Sequence, residues 1–100
     1  MNINPRMIQQ MQNQMQKIQE ELAETIIEGS AGGGMVAAQV TGLRQMHAIK
    51  IAPEAVDPDD VEMLEDMILA AVQDAMNNAE ELSAEKMGAL TGGIKIPGLM

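Results

Sequence analysis

The side chains best able to do chemistry are few: one histidine, His47, two serines, Ser30 and Ser83, and an acidic knot at Asp57, Asp59, Asp60 and Glu62. Nucleophilic catalysis needs a hydroxyl or thiol against a base that a third group orients. Ser30 falls in a glycine run, Ser83 late in a helical pattern and His47 in a strand pattern, so nothing local joins them. A calcium loop starting at Asp57 would need an acid or amide at its fifth position and glycine at its sixth, but Val61 and Glu62 stand there. Capping of the helix that follows accounts for the knot. The run Gly29 to Gly34 lacks the lysine of a phosphate loop and is followed by Met35-Val36, a strand pattern rather than a helix start. With no cysteine, thiolate metal sites and disulfides are excluded. The residues therefore assign no catalytic, cofactor-binding or metal-binding group, and the chain reads as a non-enzyme without a small-molecule substrate.

Electrostatics is the remaining resource. The formal charge is −9 over 100 residues and is unevenly placed. Residues 1–53 carry four bases and four acids, whereas residues 54–100 carry Lys86 and Lys95 against eleven acids. The second half repels a phosphate backbone, so any nucleic-acid contact falls to the first half. The aromatic platforms on which single-stranded bases stack are missing, because Phe, Tyr and Trp are all absent. No eighteen-residue apolar window exists and the N-terminus lacks a cleavable apolar run, so neither a membrane span nor a secretory signal is expected.

These groups are positioned by a simple order of elements. Met7, Ile8, Met11, Met15, Ile18 and Leu22 recur at steps of three and four, which predicts a helix over 4–23 with a Gln/Asn-rich opposite face. Asn4 can cap it and Pro5 suits its first turn. β-Branched residues predict a strand at 25–28, the glycine run a mobile turn, and alternation predicts strands at 35–41 and 46–51, an antiparallel meander. In the third strand His47, Ile49 and Ile51 are expected on one face, and Met46, Ala48 and Lys50 on the other. Leu64, Met67, Ile68, Ala71, Val72, Ala75, Ala79 and Leu82 predict a long helix over 58–90, opened by Asp57 and Pro58. Residues 91–100, rich in glycine and proline, are expected to be a flexible tail. The class is α+β, one domain over 1–90. Eleven methionines stand in for aromatic bulk, and so thin a core calls for a second copy. A homodimer is the expectation.

The ordered set MIQQMQNQMQKIQEELAE, GSAGGGMVAAQVTG, IKIAP and DPDDVEMLEDMILAAVQDAMNNAEELSAEKM, with the Gly/Pro/Met tail, resembles the YbaB/EbfC family of bacterial nucleoid-associated proteins. The resemblance spans nearly the whole chain; its specificity lies in the order of the blocks rather than in any one motif. It implies a homodimer with associated sheets and N-terminal helices projecting like tweezer arms. It also implies binding of double-stranded DNA, with weak or variable sequence preference, in the cytoplasmic nucleoid. The arms are the implied DNA contact, which singles out Arg6 and Lys17, with Arg44 and Lys50 near the sheet. The apolar face Met7, Met11, Met15, Ile18 and Leu22 would serve the dimer or another partner. The alternative is a dimeric adaptor that grips other proteins with this face and the tail, without meaningful DNA binding.

Overall fold

Asn4 starts the first element as the spacing predicts. Its side-chain oxygen accepts the Arg6 backbone N–H at 2.9 Å, and Pro5 occupies the first turn of α1, Pro5–Glu24. The computed structural model describes residues 4–90, and the expected tail at 91–100 lies outside them. After α1 come β1 (Ile26–Ala31), β2 (Val36–Thr41), β3 (Met46–Ile51) and α2 (Val61–Leu90), with one-turn 3-10 segments at Gly32–Gly34 and Pro53–Ala55. The three strands form one antiparallel sheet in sequence order. α2 lies across one face of it and covers β1 and β2, giving an α+β fold of two layers.

The glycine run is more ordered than its composition suggests. Gly29, Ser30 and Ala31 belong to β1 and pair with Ala38, Ala37 and Val36, so the first strand is 26–31 rather than 25–28. Gly32, Gly33 and Gly34 turn with φ of 63°, 68° and 93°, a conformation that side chains resist, and Met35 completes the turn in a helical conformation, so the second strand is 36–41 rather than 35–41. Gly29 is a strand residue because α2 rests on it. A Cβ there would stand 2.1 Å from the Ala75 amide nitrogen and 2.7 Å from the Ala71 carbonyl. Ala71, Ala75 and Ala79 are fully buried against Val36, Ala38 and Val40, so the centre of the core is small residues packed backbone to backbone. Ile27, Leu64, Met67, Ile68, Val72 and Met76 fill its margins.

Two further expectations are corrected. α2 begins at Val61, not at residue 58. Asp57 to Asp60 form a separate turn, in which the Asp57 carboxylate accepts the Asp59 N–H and its carbonyl the Asp60 N–H, both at 2.9 Å. Asp60 then caps the helix by accepting the Met63 N–H at 3.2 Å. In β3, an irregularity beside Gln39 and Val40 pairs Ala48 with Gln39 but Met46 with Val40. His47 is the extra residue of this bulge, and Met46 joins Ile49 and Ile51 opposite the buried β2 positions. Simple alternation could not show this, because one inserted residue reverses the facing of everything before it.

The helix–strand seam yields a first prediction. Gly29→Ala forces two backbones apart and is expected to cost about 1–3 kcal/mol, the usual range for overpacking. Gly33→Asn, at an open left-handed position, is expected to cost much less. Urea denaturation of the two variants checks the difference.

Candidate nucleic-acid interface

Every residue from 4 to 17 is exposed, so the outer three turns and more of α1 stand clear of the rest of the described chain. α1 is rooted at its other end. Leu22 is buried, and its carbonyl accepts the Gly42 N–H at 2.8 Å, which the Thr25 carbonyl shares at 3.0 Å. Gly42 has no room for a side chain: a Cβ would meet the Leu22 carbonyl at 2.7 Å. Lys86, late in α2, reaches Glu21 at 3.4 Å on the other side of this root. The helix is thus an arm, held at residues 21–25 and free beyond.

Charge on the arm is sorted by face and by height. Arg6 and Lys17 are eleven residues apart, three helical turns, so they share a face with a spacing of about 16 Å along the axis. Gln10 and Asn13 fall between them on the same side, opposite the apolar stripe. No acid occurs between residues 4 and 19, and the acids of α1 begin at Glu20, at the root. On α2, by contrast, Glu62, Glu65, Asp66, Asp74, Glu80, Glu81 and Glu85 are all exposed. The outer arm therefore carries its cations without acids, as residues 29–53 with Arg44 and Lys50 also do.

Arg44 sits in the β2–β3 turn at a φ of 64°, two residues from Gly42 and so beside the arm root. Its N–H donates to the Thr41 carbonyl at 2.8 Å, and the Thr41 hydroxyl accepts the Leu43 and Gln45 N–H groups, which holds the turn in this conformation. Lys50 is the fifth residue of β3, about 16 Å from that turn, and opposite Ala37 on the uncovered face of the sheet. The fold gathers Arg6, Lys17 and Arg44 along one arm and its base, and leaves Lys50 apart. Lys86, which the pattern alone did not single out, is taken up by Glu21.

The other polar candidates have structural partners. The Ser30 N–H donates to the Asp74 carboxylate at 3.0 Å, and the Asn78 side chain donates to the Glu28 carbonyl at 3.0 Å. These bonds from α2 close the outer edge of β1. Ser30 is on β1, His47 on the bulge of β3 and Ser83 far along α2, so the fold does not assemble them.

Two stretches of exposed apolar surface bear on partners, besides Val56, Val61 and Met63 at the entry to α2. One is the outer stripe of α1, with Met7 58% and Met11 52% exposed. Leu22 does not belong to it, contrary to its expected place on a partner face, because the β2–β3 turn covers it down to 2%. The second was not read from the strand pattern. Met46, Ile49 and Ile51 face the same side of the sheet as the core but lie on β3, at the margin of the area that α2 covers. Leu69, at 68% exposure, continues this surface onto α2. Unlike β1, β3 has no side chain closing its outer edge among the described residues.

The profile of the YbaB/EbfC DNA-binding family matches residues 1–94. The chain belongs to this family. It is 57% identical, over 89% of each chain, to a nucleoid-associated protein of Chloroflexus aurantiacus. It is 52% identical to a nucleoid-associated protein of Roseiflexus sp. (strain RS-1), over 96% of this chain and 99% of that one. A crystal structure of an uncharacterized Helicobacter pylori protein superposes with a TM-score of 0.77 at 20% identity, covering 91% of this chain and 100% of that chain. That likeness establishes the fold of this YbaB/EbfC member independently of close sequence relationship.

Leu22 anchors the arm within the chain, so Leu22→Ala is expected to destabilise the fold by about 2–5 kcal/mol, as for other buried leucines. Chemical denaturation measures this directly.

Proposed function

We propose that this protein is a homodimeric, non-catalytic nucleoid-associated protein that binds duplex DNA through its α1 arms, with weak or variable sequence preference. The carrying observation is the sorting of charge on α1: Arg6 and Lys17 on one face, amides between them, and no acid before Glu20. Cations with neighbouring amide side chains suit phosphate and sugar contacts, which position a protein without reading sequence. Membership in a DNA-binding family and relatives named nucleoid-associated proteins support the same reading, and with it a place in the cytoplasmic nucleoid. Arg44 supplies a further cation at the arm root. Lys50 stands outside this contact set.

The dimer is supported by the open edge of β3 and the apolar surface beside it. An uncovered edge strand flanked by Met46, Ile49 and Ile51 is a surface that soluble proteins ordinarily cover. A second copy joined there would extend the sheet and bury both surfaces, leaving two arms. The acidic bulk of the dimer opposes the duplex at long range, so attraction rests on the few arm cations.

Four arm cations, Arg6 and Lys17 from each copy, should give a salt dependence with a log–log slope of about −3.6, at about 0.9 per phosphate. Titration of unrelated duplexes across salt concentrations measures it. Arg6→Ala with Lys17→Ala is expected to abolish the mobility shift. Absence of any wild-type shift at about 50 mM salt would defeat the DNA reading, since phosphate contacts strengthen as salt falls. Ile49→Lys is expected to convert the sedimenting species from dimer to monomer. A second reading, an adaptor that grips proteins, is favoured by the exposed Met7–Met11–Met15 edge. It predicts partner capture that is lost when these methionines become Gln.

A further inference from the structure

The exposed stripe of α1 has the width of a helix seam. Ile8, Met11, Met15, Ile18 and Leu22 follow one another at alternating steps of three and four. Leu22 is buried and Ile18 half-buried at the root, while Ile8, Met11 and Met15 are 43%, 52% and 41% exposed. Two apolar positions in seven make a strip too narrow for a sheet. It suits one facing helix, whose own strip inserts between these side chains.

The flanks of the strip point to the kind of helix. Beside it stand Met7, Gln12, Gln14 and Gln19, with no charge among them. In paired helices these positions meet across the seam, where opposite charges select a different partner and like charges repel an identical one. Neutral amides do neither, so a second copy of the arm fits without repulsion. Arg6 and Lys17 project from the opposite side of the helix and stay out of such a contact.

The bodies set the direction. Each chain carries a formal charge of −9, with the acids on α2 and at the arm root. A parallel pair of arms would bring two acidic bodies side by side. An antiparallel pair centred on Met11 holds the two Glu21 levels about 30 Å apart along the axis, beyond a Debye length of about 8 Å.

We propose that the outer arm of one molecule pairs antiparallel with the outer arm of a second copy, centred near Met11, with Met7 of each beside Met15 of the other. The seam is only about three turns long, so a single pairing is weak and gains strength where several arms are held close together. The cationic sides of the paired arms face outward in opposite directions. On the DNA reading given above, on which this consequence alone rests, one pair of arms engages two duplexes.

Thiol trapping on the full chain tests the pairing without DNA, since the sequence has no cysteine. Under mild oxidation Met11→Cys is expected to form intermolecular disulfides about tenfold faster than Gln10→Cys, which is exposed on the other side of the same arm. The rate should fall on dilution. In an equimolar mixture of Met7→Cys and Met15→Cys chains, the mixed disulfide is expected to exceed its random share. Met11→Cys no faster than Gln10→Cys overturns the proposal, because the stripe then meets no second stripe. A random mixture, or an excess of self-disulfides, overturns the antiparallel direction. A rate unchanged by dilution overturns it too, by placing both arms in one preformed assembly. For the DNA consequence, a bead-held duplex should capture a second duplex through wild-type protein. Met11→Gln with Met15→Gln should lose this capture and keep the mobility shift of a single duplex. Capture retained by that variant removes the bridging; a missing wild-type shift removes the DNA reading and leaves the pairing to be decided by the thiols.

Discussion

Everything in this fold depends on how closely α2 approaches β1. Without aromatic rings, the chain cannot fill a wide gap between helix and sheet, so it closes the gap instead. Gly29 removes the side chain that would hold the two backbones apart, and Ala71 and Ala75 do the same from the helix side. Dispersion falls steeply with distance, so close contact between small groups recovers cohesion that bulk would otherwise supply. The same approach lets Asp74 and Asn78 reach the backbone of β1, where their bonds seal an otherwise open edge. One steric fact thus sets the layer spacing and decides which edge of the sheet remains available.

That asymmetry organises the surface. β1 is sealed and β3 is not, so apolar exposure collects on the β3 side and on the arm. Charge is arranged along the other axis. Acids crowd the solvent face of α2 while the outer arm carries cations alone. Like charge on the body discourages a duplex from lying against it. A protein of strongly acidic balance can therefore still present a local surface suited to phosphate, provided that surface is held away from the body. The length of α1 beyond its root provides that distance.

Much of this was legible in residue order. Period and capping residues identified both helices, and alternation with β-branched residues identified the meander, because each pattern reports which face is buried. The failures share a cause: they occurred where a distant neighbour decides the outcome. Gly29 reads as loop until Ala75 is known to rest on it. Asp57 reads as a cap until Asp60 is seen to take that role after an intervening turn. Leu22 belongs to the arm stripe by period and to the core by contact with the β2–β3 turn. The facing of Met46 depended on a bulge that leaves no mark in the pattern. The cationic face of the arm was recoverable from spacing alone, since Arg6 and Lys17 lie three whole turns apart; the isolation of Lys50 was not.

The way Gly42 grips Leu22 and Thr25 has a mechanical corollary. One amide donates to two carbonyls where helix passes into strand, so the base of α1 is welded to the hairpin rather than hinged. A sideways load at the tip therefore acts through a stiff lever, and its torque arrives at the β2–β3 turn. There the left-handed Arg44 and the hydroxyl of Thr41 define the loop geometry, so deflection of the tip strains this corner before it reaches the alanine seam.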